Sequence, residues 1–75
     1  MKSKRRSDYE MNVDEVKLAV QKINDMRDDD EAAHGNEDDL HRSVLRAIAE
    51  GSPVAQELAK EALKTLDIDF SRWCA

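Results

Sequence analysis

Two amphipathic stretches meet at an abrupt break, Gly51-Ser52-Pro53, and this arrangement leaves few folds open to the chain. Glycine often follows the last turn of a helix, and a serine N-cap followed by proline fits the start of the next one. After the break, apolar residues recur at helical spacing: Ala55, Leu58, Ala59, Ala62, Leu63 and Leu66. The sequence therefore predicts a helical hairpin over about 37–66, with helices at about 37–50 and 53–66.

The helix before Gly51 is expected to begin with Asn36 as N-cap, since acidic residues follow and suit the positive end of the helix dipole. The tripeptide His34-Gly35-Asn36 is interpreted as a break, with Gly35 near a helix C-terminus in a positive-φ conformation. The predicted buried stripe of this helix consists of Leu40, Val44, Leu45, Ala47 and Ile48.

An earlier helix is predicted at about 13–28. Asn12 is a favourable N-cap, and Glu15 three residues later completes a capping box. Met11 and Val16 occupy the two positions of a hydrophobic staple. The apolar stripe is formed by Val13, Val16, Ala19, Val20 and Ile23 and extends toward Met26.

These elements predict an all-α fold, a small three-helix bundle with a C-terminal clasp. Residues 12–75 form the single helical domain, and residues 1–11 form a flexible basic leader. A chain of 75 residues buries only roughly 60% of the surface that its unfolded form exposes, so its core is small. Ile68, Phe70 and Trp73 are too apolar for a free terminus, and we expect them to cover the bundle.

Charge is distributed unevenly along the chain, whose net charge is −5. The first six residues carry +4, so the remainder carries −9. Seven carboxylates lie between positions 28 and 39 without an intervening Lys or Arg: Asp28, Asp29, Asp30, Glu31, Glu37, Asp38 and Asp39. A folded body of this charge repels nucleic acid but can meet a basic protein surface.

Two segments are candidate partner-binding sites. The first is acidic and comprises Asp28, Asp29, Asp30, Glu31, Glu37 and Asp38. The second is the C-terminal group Phe70, Arg72 and Trp73, because Trp and Arg often dominate binding energy at interfaces. The plainer alternatives are a solvated acidic loop that caps a helix, and aromatic residues that close the core.

Some features of the sequence also fit functions other than protein binding. The residues Lys2, Lys4, Arg5 and Arg6 could form a nucleic-acid-binding arm, whereas the acidic segment could imitate DNA phosphates. The hairpin superficially suggests a helix-turn-helix, but its second helix has no exposed Arg. A metal cluster could be drawn from Glu31, His34, Glu37, Asp38 and His41, although the predicted break separates its two halves.

An enzyme is not expected, and neither is a cofactor or a bound metal. Two glycines cannot build a glycine-rich phosphate loop, and no Ser or Cys has an evident His and acid partner. A lone cysteine, Cys74, fits a reducing cytoplasm. No apolar run approaches the ~20 residues of a membrane span, and no hydrophobic segment follows MKSKRR as in a secretory signal. We therefore expect a cytoplasmic protein without a membrane segment.

The patterns DDEAAH…EDxL, VLxAIAxG and IDFxRW, within residues 28–75, resemble those of small uncharacterised proteins of bacteria, actinobacteria among them, and of their phages. The resemblance implies a helical fold and a bacterial or phage origin, with no activity, cofactor or catalytic residue to transfer. Together these observations predict a non-enzymatic protein-binding domain that modulates a host protein in phage or prophage biology. Self-association is left open, because a small core often gains from a partner.

Overall fold

The computed structural model of the protein describes residues 10–70, and in this range it is all-α, as predicted. The helices are α1 (Val13–Asp25), α2 (Asp30–Ala49) and α3 (Ala55–Ala62), and a 3₁₀ helix (Leu63–Asp67) continues α3. Each of the three α-helices packs against the other two. The small three-helix bundle is thereby confirmed.

Helix α1 begins as its capping signals predict. The Asn12 side chain accepts a hydrogen bond from the Glu15 backbone N–H at 2.9 Å, and the Glu15 carboxylate accepts one from the Asn12 N–H at 2.9 Å. Val16 and Ile23 are buried, in accord with the predicted stripe. The helix ends at Asp25 rather than at position 28, because the chain turns there to enter α2.

The predicted break at His34-Gly35-Asn36 is wrong, because α2 runs through it. Asp29, not Asn36, is the N-cap, and its carboxylate accepts from the Ala32 N–H at 3.2 Å. Gly35 has no positive φ. The earlier start places Ala33 and Glu37 on the face that packs into the bundle, where both are buried.

Gly51 ends the helix as predicted, with a φ of 84°. Its N–H donates to the Ile48 carbonyl at 3.0 Å and the Ser52 N–H donates to the Ala47 carbonyl at 3.0 Å, which is the Schellman pattern. Ser52 is not the N-cap of α3, however. Its hydroxyl accepts from the Val54 N–H at 3.2 Å and holds a turn, so α3 starts only at Ala55.

The helix predicted to extend to position 66 changes to a 3₁₀ helix after Ala62. Thr65 is fully buried, and its hydroxyl donates to the Ala62 carbonyl at 3.1 Å. The tighter winding turns Leu63 and Leu66 outward, with 57% and 56% of their surfaces exposed. Leu63 and Leu66 therefore do not share the buried face of Leu58 and Ala62, although their helical spacing predicts that they do.

The core joins residues of all three helices with one residue beyond them: Val16, Ile23, Ala33, Leu40, Val44, Ala47, Leu58, Ala62 and Phe70. Leu45 and Ile48 were expected among them but lie exposed, because the buried face of α2 is centred on Leu40, Val44 and Ala47. Ile68 packs against the core and Phe70 is part of it. This part of the predicted clasp is present, while Trp73 lies outside the described residues.

Candidate protein-binding groove

An open groove of about 700 Å³ runs between α1 and α2. Its apolar lining consists of Met11 before α1, Leu18 and Ala19 on α1, and Leu40 on α2, of which Leu40 is only 7% exposed. Leu18 is 71% exposed, although a leucine normally gains by burial. The groove therefore has an apolar wall that is exposed to solvent in the isolated protein.

Carboxylates predominate among the charged residues that line the groove. Glu15 and Asp25 lie on α1 and Asp39 lies on α2, whereas Lys22 is the one basic residue of the described lining. Asp25 accepts a hydrogen bond from Gln21 at 2.9 Å. The charged residues of the lining sum to −2, although Asp39 is also paired with Arg42 Nη1 at 3.3 Å, so the groove carries a modest negative charge.

The acidic turn between α1 and α2 links the two helices that form the groove. Asp28 and Asp29 are exposed, and Asp30 and Glu31 occupy the first turn of α2. Asn36 of α2 contacts the residue at the other end of this turn, because its side-chain amide lies 3.4 Å from the Met26 sulfur at the end of α1. The same amide donates to the Ala32 carbonyl one turn back in α2 at 2.8 Å. Asp28, Asp29 and Glu31 are therefore exposed close together, whereas Asp30 is half-buried.

The other predicted acidic residues diverge from this group. Glu37 is only 3% exposed, which corrects its expected place on an accessible surface. It is buried because it lies on the face of Leu40 and Val44, and the earlier start places it in the interior of α2 rather than in an exposed first turn. Among the described residues, no buried side-chain nitrogen or oxygen lacks a hydrogen-bond partner, so this burial leaves no orphaned polar atom. Asp38 is half-buried, with its carboxylate 3.7 Å from His34 Nε2.

The C-terminal candidate group is only partly described. Phe70 is 8% exposed and belongs to the core, so its ring is unavailable to a partner in this conformation. Arg72 and Trp73 lie outside the described residues. The C-terminal partner site stays a prediction. Phe70 packs in the core and offers little accessible surface to a partner.

Leu18 and Leu40 were not predicted to line a binding site. Leu40 has the spacing of a core residue, and its edge faces the groove only because α1 leaves that side open. The sequence does distinguish Leu18 from the core residues, because it lies off the apolar stripe formed by Val16, Val20 and Ile23. A single exposed leucine is common at a protein surface, so only the groove around Leu18 marks it as part of a contact surface.

The two histidines have structural neighbours. His41 Nε2 lies 3.0 Å from the Thr65 hydroxyl and 3.3 Å from the Ala62 carbonyl, which ties α2 to the end of α3. His34 faces Asp38 one turn along the same helix. Within residues 10–70, no three His, Cys, Asp or Glu side chains are grouped so that they could hold a metal ion.

Comparisons with protein-family models, curated proteins and solved structures found no match to this chain. None of the helices described between residues 10 and 70 has the length and apolar character needed to span a membrane.

Proposed function

We propose that the protein is a non-enzymatic binding domain whose α1–α2 groove holds a basic, amphipathic segment of another protein. The observation that supports this proposal is the combination of an apolar wall, Leu18 with Ala19 and Leu40, and the carboxylates around it. An amphipathic helix laid in such a groove is a common mode of peptide recognition.

Apolar contact supplies most of the affinity in this proposal. Covering Leu18, which is 71% exposed, contributes roughly 1–2 kcal/mol, since fully burying a leucine side chain contributes about 1.5–3 kcal/mol. Each exposed ion pair with Asp25 or Asp39 adds only about 0.2–1 kcal/mol. The carboxylates therefore act chiefly by selecting a basic partner and by accelerating its encounter, an effect that weakens as salt rises.

The acidic turn extends the same selection beyond the groove. Asp28, Asp29 and Glu31 are exposed next to the helix ends that form it. A basic segment longer than the groove would meet these carboxylates as well. The resemblance to bacterial and phage proteins further supports a host protein as the partner, with modulation of that protein in the cytoplasm as the biological role.

A defined pair of probes tests the proposal. The ¹⁵N-labelled protein is titrated with a short amphipathic Leu–Lys peptide and, separately, with a Leu–Glu peptide of the same pattern. We expect saturable shifts for the Leu–Lys peptide at amides of α1 and of the facing side of α2, and none for the Leu–Glu peptide. The affinity should fall as salt is added.

Matched variants separate the groove from general electrostatics. Asp25→Asn with Asp39→Asn removes two carboxylates of the groove, and Leu18→Ser removes its exposed apolar side chain. Glu57→Gln removes an exposed carboxylate of α3 and serves as the control. Equal affinity of the wild type and both groove variants for the Leu–Lys peptide would refute the proposal. Affinity capture from a bacterial lysate with the same variants then identifies the partner.

The alternative of DNA mimicry receives less support from the structure. It requires a row of exposed carboxylates, but Glu37 is buried and Asp38 faces His34. The alternative of nucleic-acid binding rests on Lys2, Lys4, Arg5 and Arg6, which lie outside the described residues.

A further inference from the structure

A second apolar surface lies on the side where α2 meets α3 and the 3₁₀ helix. We name it the α2–α3 face and define it by four exposed residues, Leu45, Ile48, Leu63 and Leu66. Leu45, Ile48 and Leu63 border a shallow depression of about 220 Å³ whose lining also includes Ala59 and Ala62. Leu66 joins them because residues three apart eclipse one another in a 3₁₀ helix.

The α2–α3 face is comparable in area to the largest apolar patch on a typical monomer. The exposed fractions are 64% for Leu45, 39% for Ile48, 57% for Leu63 and 56% for Leu66. Together these side chains expose on the order of 400 Å², within the range of patches that are often functional. This is about half of the ~800 Å² that each partner contributes to a stable interface, so the rim of the face has to supply the remainder.

We propose that the α2–α3 face is the interface of a symmetric homodimer. A two-fold contact requires one surface that carries both a projection and a recess. Here Leu45 and Leu63 project, and the small side chains of Ala59 and Ala62 leave the recess between them. The recess is smaller than the ~300–1,000 Å³ of typical small-molecule sites, and it suits an inserted side chain.

Charge also favours a second copy on this face. No carboxylate, ammonium or guanidinium belongs to the lining of the recess, and His41 is held by the Thr65 hydroxyl at 3.0 Å. Inserting a side chain of a second copy into this recess therefore leaves no unpaired charge buried in it. Asp30, in the first turn of α2, lies about 22 Å along the helix from Leu45. This distance exceeds the ~8 Å over which charge interactions are screened at physiological salt, so the acidic turn has little electrostatic effect at the α2–α3 face.

The homodimer is independent of the proposed function, because the groove that would hold a basic segment lies on the other side of α2. Its lining includes Asn36, Asp39 and Ser43 of that helix, whereas the recess is bordered by Val44, Leu45 and Ile48. A dimer formed through the α2–α3 face leaves both grooves accessible and would present two equivalent sites to a partner.

Sedimentation velocity of the full chain, from micromolar to near-millimolar concentration, tests the homodimer. The mass should rise from 8.5 kDa toward twice that value. Leu45→Ser and Leu63→Ser should each raise the dissociation constant about tenfold or more, since every substitution occurs twice in the dimer. Both side chains are exposed in the single chain, so circular dichroism and the melting curve of the dilute variants should stay close to those of the wild type.

Leu18→Ser is the matched control, because Leu18 is equally apolar and even more exposed but lies on α1 outside this face. It should leave the dissociation constant unchanged while it weakens Leu–Lys peptide binding. Isotope-filtered NOEs between Leu45 and Leu63 methyl groups of different copies should appear at high concentration. A chain that stays monomeric throughout, or a dimer insensitive to both serine variants, overturns the proposal. Either result leaves the peptide titration as a separate test of the groove.

Discussion

Replacing Gly35 by alanine should stabilise the protein. Gly35 lies inside α2 without a positive φ, it is exposed, and a Cβ added there would meet nothing within 4 Å. Glycine in a helix interior costs about 0.8–1.0 kcal/mol relative to alanine, because more backbone freedom is lost on folding. With no steric penalty to offset this gain, Gly35→Ala should raise the free energy of unfolding by about 1 kcal/mol.

Thermal and urea unfolding followed by circular dichroism measure this gain. For a domain of this length, about 1 kcal/mol corresponds to a rise of roughly 4–8 °C in Tm. The measurement should be made at low concentration, so that any self-association does not add to the apparent stability.

Gly51→Ala provides the matched control, because it makes the same chemical change at the other glycine. Its φ of 84° lies in the left-handed region, where an alanine costs roughly 1–2 kcal/mol. The two variants should therefore shift Tm in opposite directions. A fall in Tm for Gly35→Ala, comparable to that for Gly51→Ala, would refute the continuous helix and restore the break that the sequence alone predicts at this glycine.

Two further predictions concern the end of the bundle and the basic leader. Leu58→Ala should lower the free energy of unfolding by about 2–5 kcal/mol, because Leu58 is fully buried. Leu66→Ala should lower it by less than about 1 kcal/mol in the same urea titration, because Leu66 is exposed. Equal losses for the two variants would contradict the outward orientation of Leu66 in the 3₁₀ helix. Filter binding should find only weak association with duplex DNA at physiological salt, given the −9 charge that follows residues 1–6. Tight, salt-dependent binding lost on deletion of those six residues would instead support a nucleic-acid-binding arm.

Short-range signals in the sequence predicted the helix ends correctly where only one local backbone arrangement satisfied them. The Asn12–Glu15 capping box and the Gly51 stop depend on residues within a few positions of each other, and both are found as predicted. Asp29 and Asn36 are both good N-caps, however, and local chemistry does not choose between them. The choice is explained by packing across the bundle, where starting at Asp30 buries Ala33.

The candidate site was predictable in its charge but not in its shape. Asp28, Asp29 and Glu31 were recognised as acidic surface, and they are exposed. The groove beside them depends on how far α1 stands from α2 along one side, and no local pattern fixes that distance. Glu37 was misplaced because the sequence put it in an exposed first turn, whereas α2 begins at Asp30 and Glu37 lies in its interior, on the face of Leu40 and Val44.

The change of winding after Ala62 restricts how the chain length can vary in evolution. Leu63 and Leu66 are aligned because three residues complete one turn of the 3₁₀ helix, and the same register buries Thr65 between them. Adding or removing one residue within the 3₁₀ helix (Leu63–Asp67) would rotate its following side chains by about 120°, since a 3₁₀ helix has three residues per turn. We expect sequence relatives to keep the spacing from Ala62 to Phe70 fixed, together with a small polar residue at position 65 and a large apolar residue at position 70.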